Sequence, residues 1–287
     1  MTKRQTAAVP PAAPKKKSKT KFKPLISDER LLEMHAAMLR VRGFAEELRR
    51  ARSVREDAKA VPLAEASFAA LLAGLTGKET IVAPPALWQA AVVRGIDTHD
   101  LLTSLHRAPS SERERSWRLL AEQGLLVCDG SAAQIVAVAA GVALATSRQD
   151  TNKRSQRAVV ALVQNASAVD LAETSRFVAG LDLPLLLVSI GRKAGDRSSG
   201  QRGARGAAHG IVPHLPQILV DGTDAVATYR VAQEALTRAR TGLGGVLIQA
   251  VLEGMAGVDS IEVLEQVLLR RHLFSVDKEK HLIFNSK

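Results

Sequence analysis

The sequence predicts an α/β fold with a doubly wound, mostly parallel sheet. Two largely apolar runs, 158–163 and 185–190, have the length of strands, and two further strands are predicted over 217–220 and 246–252. Such apolar runs are typical of parallel strands that are buried on both faces. Segments of helical length separate them, as expected where a chain crosses back over its sheet. With 287 residues, 46% of them apolar, the chain can form one sizeable core of this kind.

A long helix is predicted ahead of the sheet. Ser27 is a typical N-cap residue, and Asp and Glu follow it in the first turn. Apolar side chains then recur at helical spacing to about Arg52, namely Leu31, Met34, Met38, Val41, Ala45 and Leu48. We assign residues 25–60 to this N-terminal helical segment and residues 61–287 to the α/β domain.

Short elements are predicted before the first long strand. The pattern indicates helices over 63–75, 88–94 and 98–105, and strands over 80–83 and 125–128. The charged stretch 108–118 is predicted to be a surface loop. Residues 131–146 form an alanine-rich helix that is apolar nearly all round, so we expect it to be buried.

The second half of the chain alternates strands and helices. Helices are predicted over 168–180, from Thr223 or Asp224 to Arg240, and over 261–273, with a terminal apolar patch at 281–284. Between two strands, 192–210 is rich in Gly, Arg and Ser. Its glycines lack the spacing of a dinucleotide fingerprint, and it has no aromatics for an RNA-binding segment. We interpret it as a mobile loop at the mouth of a site.

The positive charge is concentrated at one end of the chain. Residues 1–24 hold eight lysines and arginines and no acid, so they account for +8 of the net charge of +11. Their Pro, Ala and Lys content predicts a disordered tail. It is either a solubilising tail or an arm that docks an acidic partner or, nonspecifically, nucleic acid.

Three features favour a cytoplasmic protein. No apolar run approaches the ~20 residues of a membrane helix, and the opening residues lack the apolar segment of a secretory signal. The single cysteine, Cys128, cannot form an internal disulfide, which fits a reducing compartment. In its apolar surroundings we interpret it as buried filler rather than a nucleophile.

The edge of the sheet where ligands are expected has few residues of the kinds that bind metals or phosphates. Ligands of such folds bind beyond the carboxyl ends of the strands. Those ends read Gln164-Asn165-Ala166-Ser167 and Gly191-Arg192, with no acid before Asp170 and no glycine-rich phosphate loop. No pair of histidines or cysteines has metal-ligand spacing. His209 and His214 flank the predicted loop, but a lone histidine is more often a surface or capping residue.

Several segments together resemble a known family. In order they are MLRVRGF (38–44), VVRGIDTHDLL (92–102), AQIVAVAAGVALA (133–145), the strand–helix–strand unit with LPLLLVS, and VDGTDAVATYRVAQEALTRARTGLGGVLIQAV (220–251). Across roughly residues 25–260 the chain resembles the alpha subunit of the thiamin-diphosphate-dependent dehydrogenase component of 2-oxo acid dehydrogenase complexes. Pyruvate and branched-chain dehydrogenases are examples.

The resemblance implies a thiamin-diphosphate-binding fold and an α2β2 assembly with a beta subunit. Thiamin diphosphate and Mg²⁺ would lie at the subunit interface. The implied reaction is decarboxylation of a 2-oxo acid with acyl transfer to lipoamide.

Most of the family's ligands are replaced in this chain. The Gly-Asp-Gly whose Asp binds Mg²⁺ falls on Gln164-Asn165-Ala166, and the Asn-Asn with the second ligand falls on Gly191-Arg192. The family's Tyr-Arg pair, which helps hold the cofactor, falls near Pro85-Ala86, and a nearby family histidine falls near Trp88. The family's Gly-His-Ser, with the active-site histidine, falls near Gly257-Val258-Asp259. Part of the Gln-Glu-Ala segment remains at Glu65-Ala66, and Arg42 and Phe44 keep the pattern of the first helix.

The replacements predict weak or absent cofactor binding. Mg²⁺ prefers carboxylate and phosphate oxygens in octahedral geometry, whereas Asn165 offers one neutral oxygen and Arg192 brings positive charge. Gln164, Asn165 and Arg192 are therefore the only candidate cofactor-binding residues, with no catalytic residue and no metal ligand assigned.

Three functions follow as hypotheses. The first is a noncatalytic or regulatory subunit that binds a beta-like subunit or a complex core. The second is an active oxidoreductase whose altered site uses Asn165, Arg192 and the 192–210 loop for the diphosphate. The third is binding of nucleic acid or an acidic partner through residues 1–24.

Overall fold

A computed structural model describes residues 25–51, 63–105, 110–152, 155–192, 212–252 and 259–273. The predicted tail, the 192–210 loop after its first residue, His209 and the 281–284 patch lie outside these residues. No helix within them is long and apolar enough to cross a membrane.

Apart from the helix Ser110–Glu122, in a stretch that was predicted to be a loop, the described helices lie close to their predicted bounds. In chain order they are α1 Asp28–Arg50, α2 Glu65–Leu72, α3 Gln89–Val93, α4 Thr98–Leu105, α5 Ser110–Glu122, α6 Ala132–Gln149, α7 Ala168–Gly180, α8 Ala225–Arg240 and α9 Ser260–Arg270. The predicted cap of α1 is confirmed, since the Ser27 side chain accepts a hydrogen bond from the Arg30 amide. Asp224, rather than Thr223, caps α8.

The described strands form one six-stranded sheet in which every pair is parallel. They are β1 Thr80–Ala83, β2 Leu125–Val127, β3 Val159–Gln164, β4 Leu185–Arg192, β5 Gln217–Asp221 and β6 Val246–Leu252. The spatial order is β2-β1-β3-β4-β6-β5. The predicted α/β class is therefore confirmed. The last strand of the sheet, β6, lies between β4 and β5, an order that the sequence pattern did not predict.

Alternate side chains of β1, β2, β3, β4 and β6 enter two separate cores, as the period of two requires. On one face, Val160, Leu162, Val188 and Ile248 pack with α1 to α5 and α8. On the other, Val159, Ala161, Leu187 and Leu247 pack under α6 and α7. Helices thus cover both faces, which is the doubly wound arrangement.

The charged stretch after α4 is a helix, not the loop predicted over 108–118. Helix α5 spans Ser110–Glu122 and contacts α4 and β2. Near the end of α5, Leu120 is part of the hydrophobic core and Trp117 packs against it. Its first two turns carry only polar residues, so the segment had too few apolar positions to show a helical period.

Helix α6 is only half buried, so the prediction of a fully buried helix was wrong. Its inner face packs through Ile135, Val136, Ala139, Ala140 and Ala143. Its outer face is also apolar, and it is exposed at Ala137, Val138, Gly141 and Ala145. Val138 keeps 40% of its surface exposed.

Candidate functional site

The sheet has a switch point between β1 and β3, where the strand order reverses. From β1 the chain proceeds to β2 at one edge, and β3 and β4 then lie on the other side of β1. Crevices outside the carboxyl ends at such a point are the usual ligand sites of open parallel sheets. Here the crevice is bordered by Pro84-Pro85 after β1 and by Gln164-Asn165 at the end of β3. We call these residues the switch-point corner.

Two residues of the switch-point corner, Gln164 and Asn165, have amide side chains that could bind a ligand. Gln164 ends β3, and Asn165 follows it with φ 48°, a left-handed conformation that asparagine tolerates better than most residues. The Asn165 amide donates to the Ile190 carbonyl at 3.0 Å, which ties it to β4. Both residues are half-buried, and neither side chain bonds to another residue that the structure describes. Their amides are therefore available to a ligand.

The nearest acid along the chain is committed to a helix cap. Asp170 accepts hydrogen bonds from the Ser167 amide at 2.8 Å and from the Ser167 hydroxyl at 2.6 Å. In return, the Asp170 amide donates to the Ser167 hydroxyl at 3.2 Å. This reciprocal capping box fixes the start of α7. Asp170 thus serves the helix rather than the corner.

The end of β4 differs slightly from its prediction. The strand continues through Gly191 and Arg192, which pair with Val251 and Leu252 of β6. Arg192 is therefore a strand residue at the same edge as Gln164, and its side chain lies outside the part that the structure describes. Its predicted contact with a diphosphate stays a prediction.

The β1 side of the corner is filled by apolar side chains. Trp88 is 4% exposed and packs on Phe44 of α1, with ring centroids 5.1 Å apart. Pro84, Pro85 and Trp117 close the same region around a cavity of only ≈ 20 Å³. Trp88, which the resemblance aligns near a family histidine, is thus a core residue here.

A charged cluster that the sequence analysis missed joins three distant segments. Arg42 of α1 binds both oxygens of Asp259, from Nη1 to Oδ2 at 2.6 Å and from Nη2 to Oδ1 at 2.7 Å. Its Nη2 also donates to Glu65, which is buried at the start of α2. The hydrogen bond from Arg42 lowers the pKa of Asp259, against an opposing effect of burial. An acid inside an otherwise apolar helix, such as Glu65, was the signal that could have revealed the cluster.

Two further polar links attach α9 to α1. A ring nitrogen of the buried His35 lies 2.9 Å from the Glu265 carboxylate. Arg271 donates to the Ile26 carbonyl at 2.8 Å and to Asp28 at 3.0 Å. Together with Arg42 and Asp259, these contacts fix α9 at its start, middle and end. Residue 259 follows the aligned Gly257-Val258, which lie outside the described residues.

The VDGTD segment has a clear structural role. Asp221 and Asp224 accept hydrogen bonds from nearby backbone amides, and Asp224 caps α8. Between them, Gly222 lets α2 approach, since Ser67 donates to its carbonyl at 2.7 Å. A Cβ at Gly222 would lie 2.7 Å from the Ser67 hydroxyl oxygen. The VDGTD segment, which is the most specific part of the resemblance, thus has a structural role: it caps α8 and packs against α2.

The described residues do not fit a magnesium diphosphate. Among them, no three His, Cys, Asp or Glu side chains are grouped as a metal site requires. At the switch-point corner the free polar groups are the neutral amides of Gln164 and Asn165. Cys128, at the end of β2, is a half-buried thiol whose pKa is raised by burial and by Asp129. It is thus neither fully buried, as predicted, nor an activated thiolate.

Comparison with known proteins confirms the resemblance over part of the chain. Residues 113–252 match the sequence profile of the family described as dehydrogenase E1 component, which is just under half of the 287 residues. The match includes β2 to β6 and the whole segment from α6 to α8. No curated protein sequence matches significantly.

One solved structure that resembles the chain is a protein from Mycobacterium smegmatis assigned as a thiamin diphosphate-dependent enzyme. The sequence identity is 12% and the TM-score is 0.41. The aligned region covers 67% of this chain but only 32% of that one. The chain thus spans about a third of that protein, and a likeness at this level carries no argument about activity.

Proposed function

We propose that this chain, whose residues 113–252 match the dehydrogenase E1 component family, is a noncatalytic or regulatory subunit of a 2-oxo acid dehydrogenase-like assembly. The observation that carries the proposal is the switch-point corner. The parallel sheet and its switch point are present, yet the free polar groups at this corner are the two neutral amides of Gln164 and Asn165. The nearby carboxylate of Asp170 caps α7. Mg²⁺ held against a diphosphate typically takes one or two carboxylates.

The outer face of α6 supports a protein partner. A helix that is apolar all round is normally buried, and half of α6 is instead open to solvent. A beta-like dehydrogenase subunit or a complex core is the partner that we propose for this face. The basic residues of 1–24 supply a second contact to an acidic partner or to nucleic acid. The single cysteine, Cys128, supports a reducing compartment such as the cytoplasm.

The cofactor half of the proposal is tested by calorimetric titration of the full chain with thiamin diphosphate and Mg²⁺, with and without a beta-like subunit. We expect no saturable heat in either setting. The variant Asn165→Asp restores a carboxylate at the end of β3, and we expect it to gain magnesium-dependent binding if the missing carboxylate is the cause. Gln266→Glu adds the same charge at an exposed position of α9 and serves as the control.

The partner half is tested by co-purification and sedimentation with the beta-like subunit. We expect a stoichiometric complex that Val138→Glu disrupts, because a charge would enter the apolar contact. Leu119→Glu, at a similarly exposed position of α5, should leave the complex intact. A soluble monomer that binds no such subunit would contradict this half.

A second candidate is an active oxidoreductase with an altered site. The free amides of Gln164 and Asn165 favour it, since they face a typical ligand crevice. It predicts saturable, magnesium-dependent binding in the unchanged chain that Asn165→Asp or Arg192→Ala weakens. The same titration therefore separates the two candidates, because the effect of Asn165→Asp has opposite sign.

A further inference from the structure

A cleft lies at the opposite edge of the sheet from the switch-point corner. It has a volume of ≈ 440 Å³ and runs between α1 and α2 toward the chain segments that enter β1 and β2. Leu75 and Gly77 precede β1, and Gln123 precedes β2. Because all strands are parallel, this is the amino edge of the sheet. The cleft is thus separate from the candidate cofactor-binding residues Gln164, Asn165 and Arg192.

One wall of the cleft holds an arginine whose position is fixed by neutral groups. Nη2 of Arg94 donates to the Gln123 carbonyl at 2.9 Å and lies 3.4 Å from the Gly77 carbonyl. Gly124 makes room for it, since a Cβ there would lie 2.6 Å from that nitrogen. Carbonyls orient the guanidinium but leave its charge uncompensated. Its Nε and Nη1 make no bond to any described residue, so they can meet a ligand.

The charges around the cleft do not balance. Its lining includes Arg30, Arg40 and Arg94 but one acid, Glu33, which pairs with Arg30 at 2.7 Å. Arg40 is exposed and has no ionic or hydrogen-bonded partner among the described residues. Two positive charges, at Arg40 and Arg94, are therefore available to an anion.

The rest of the lining is apolar. Met34, Ala37, Ala69 and Leu72 are nearly buried beneath the cleft, and the half-buried side chains of Ala73, Leu75 and Val93 supply its accessible apolar surface. Small-molecule sites typically combine such apolar walls with a few fixed polar groups in a volume of ~300–1,000 Å³. A guanidinium with adjacent free N–H groups matches carboxylate or phosphate oxygens in a two-pronged geometry.

We infer that this cleft binds a small organic anion, with its carboxylate or phosphate on Arg94 and Arg40 and its apolar body against Ala73, Leu75 and Val93. The site requires neither the cofactor chemistry of the family nor a partner subunit. It provides a second place, remote from the switch-point corner, at which a metabolite could bind the chain.

The test uses four titrations of the full chain by calorimetry, with three probes that share one apolar body and a fourth that lacks it. The probes are 2-naphthoate, 2-naphthyl phosphate, the neutral 2-naphthamide and inorganic phosphate. We expect the two naphthyl anions to bind at least about tenfold more tightly than naphthamide, because a charge-assisted hydrogen bond is lost with the neutral head. The tighter of the two anions identifies the head group as carboxylate or phosphate. Inorganic phosphate lacks the apolar body and should bind weakly.

Variants locate the site. Arg94→Gln should weaken the anions about tenfold and leave naphthamide unchanged. Ala73→Trp fills the cleft while keeping every charge, so it should weaken all naphthyl probes. The control Arg176→Gln removes an exposed arginine from α7, on the other face of the sheet. Circular dichroism checks that each variant is folded.

Equal binding of naphthoate and naphthamide would overturn the inference, and so would naphthoate binding that Arg94→Gln and Ala73→Trp leave unchanged. An absence of binding by both anions would overturn it too. None of these three results bears on the subunit proposal, which concerns α6 and the switch-point corner.

Discussion

The carboxylate of Asp259 lies in the fork of the Arg42 guanidinium, although 217 positions separate the two residues in the sequence. Asp259 also accepts a hydrogen bond from the Ile261 amide at 2.8 Å, so the same carboxylate caps α9. One side chain thus joins the N-terminal helix to the segment that follows β6.

Replacing this carboxylate should destabilise the fold. For Asp259→Ala we expect the free energy of unfolding to fall by about 2 kcal/mol, from the lost cap and the lost, partly exposed ion pair. Asp259→Asn keeps a cap and should cost about 1 kcal/mol. Urea unfolding measures both. Glu234→Gln, at an exposed position of α8, is the control, with an expected change within ~0.5 kcal/mol. Wild-type stability in Asp259→Ala would mean that the ion pair and the cap contribute nothing.

The same carboxylate should make stability depend on acid pH. Hydrogen bonds from Arg42 lower the pKa of Asp259, and those from Arg157 lower the pKa of Asp150. As the pH falls below the unfolded value of ~3.9, the unfolded chain takes up protons first. Stability is therefore fully present above that pH and is lost as the pH falls through the folded pKa values.

Urea midpoints from neutral pH to about pH 3 test this dependence. We expect the difference between the wild type and Asp259→Asn to shrink as the pH drops below ~4. A difference that stays constant through this range would show that Asp259 has an ordinary pKa in the folded chain.

Trp88 should behave as a core residue. It is nearly buried against Phe44, so Trp88→Ala should cost about 3–5 kcal/mol in urea unfolding. Trp88→Phe keeps an aromatic ring and should cost clearly less. With Trp117→Phe as the background, the emission of Trp88 should be blue-shifted in the folded chain and shift to the red on unfolding. Exposed-type emission before unfolding would contradict the packing.

The thiol of Cys128 should react slowly. Burial and the neighbouring Asp129 raise its pKa, so little thiolate is present at neutral pH. We expect iodoacetamide to modify the folded chain more slowly than it modifies glutathione, and Asp129→Asn to increase the rate. The urea-unfolded chain, in which burial is removed, is the reference. Faster reaction in the folded chain would indicate an activated thiol.

The strands were the most predictable part of the fold. The runs 158–163 and 246–252 are apolar, apart from Gln249, because both faces of these strands are buried, and this pattern is visible in one sequence. Helix α5 was missed because Trp117 and Leu120 are too few to define a period. The exposed half of α6 was not predicted, because a helix that is apolar on all sides has no polar face to show which side is exposed to solvent.

The candidate site was predictable only in its position. Gln164 and Asn165 follow a strand, so their place at the carboxyl edge came from the pattern alone. The pairing of Arg42 with Asp259 and Glu65 could not be predicted from the pattern, because it depends on how three distant segments pack. The charge imbalance of the cleft depends in the same way on Arg40 and Arg94 being brought together from α1 and the end of α3.

The sheet order sets constraints on how the chain is made. Strand β5 pairs, among the strands described, only with β6, which follows it in sequence and is inserted beside β4. On the ribosome, β1 to β4 can assemble first, while β5 waits for its neighbour through the synthesis of α8. During that interval the edge of β4 is an open template, to which another nascent chain could add. Long-range parallel pairing of this kind folds slowly, so we expect expression yield to be more sensitive to changes in α8 and β6 than to changes in β1 or β2.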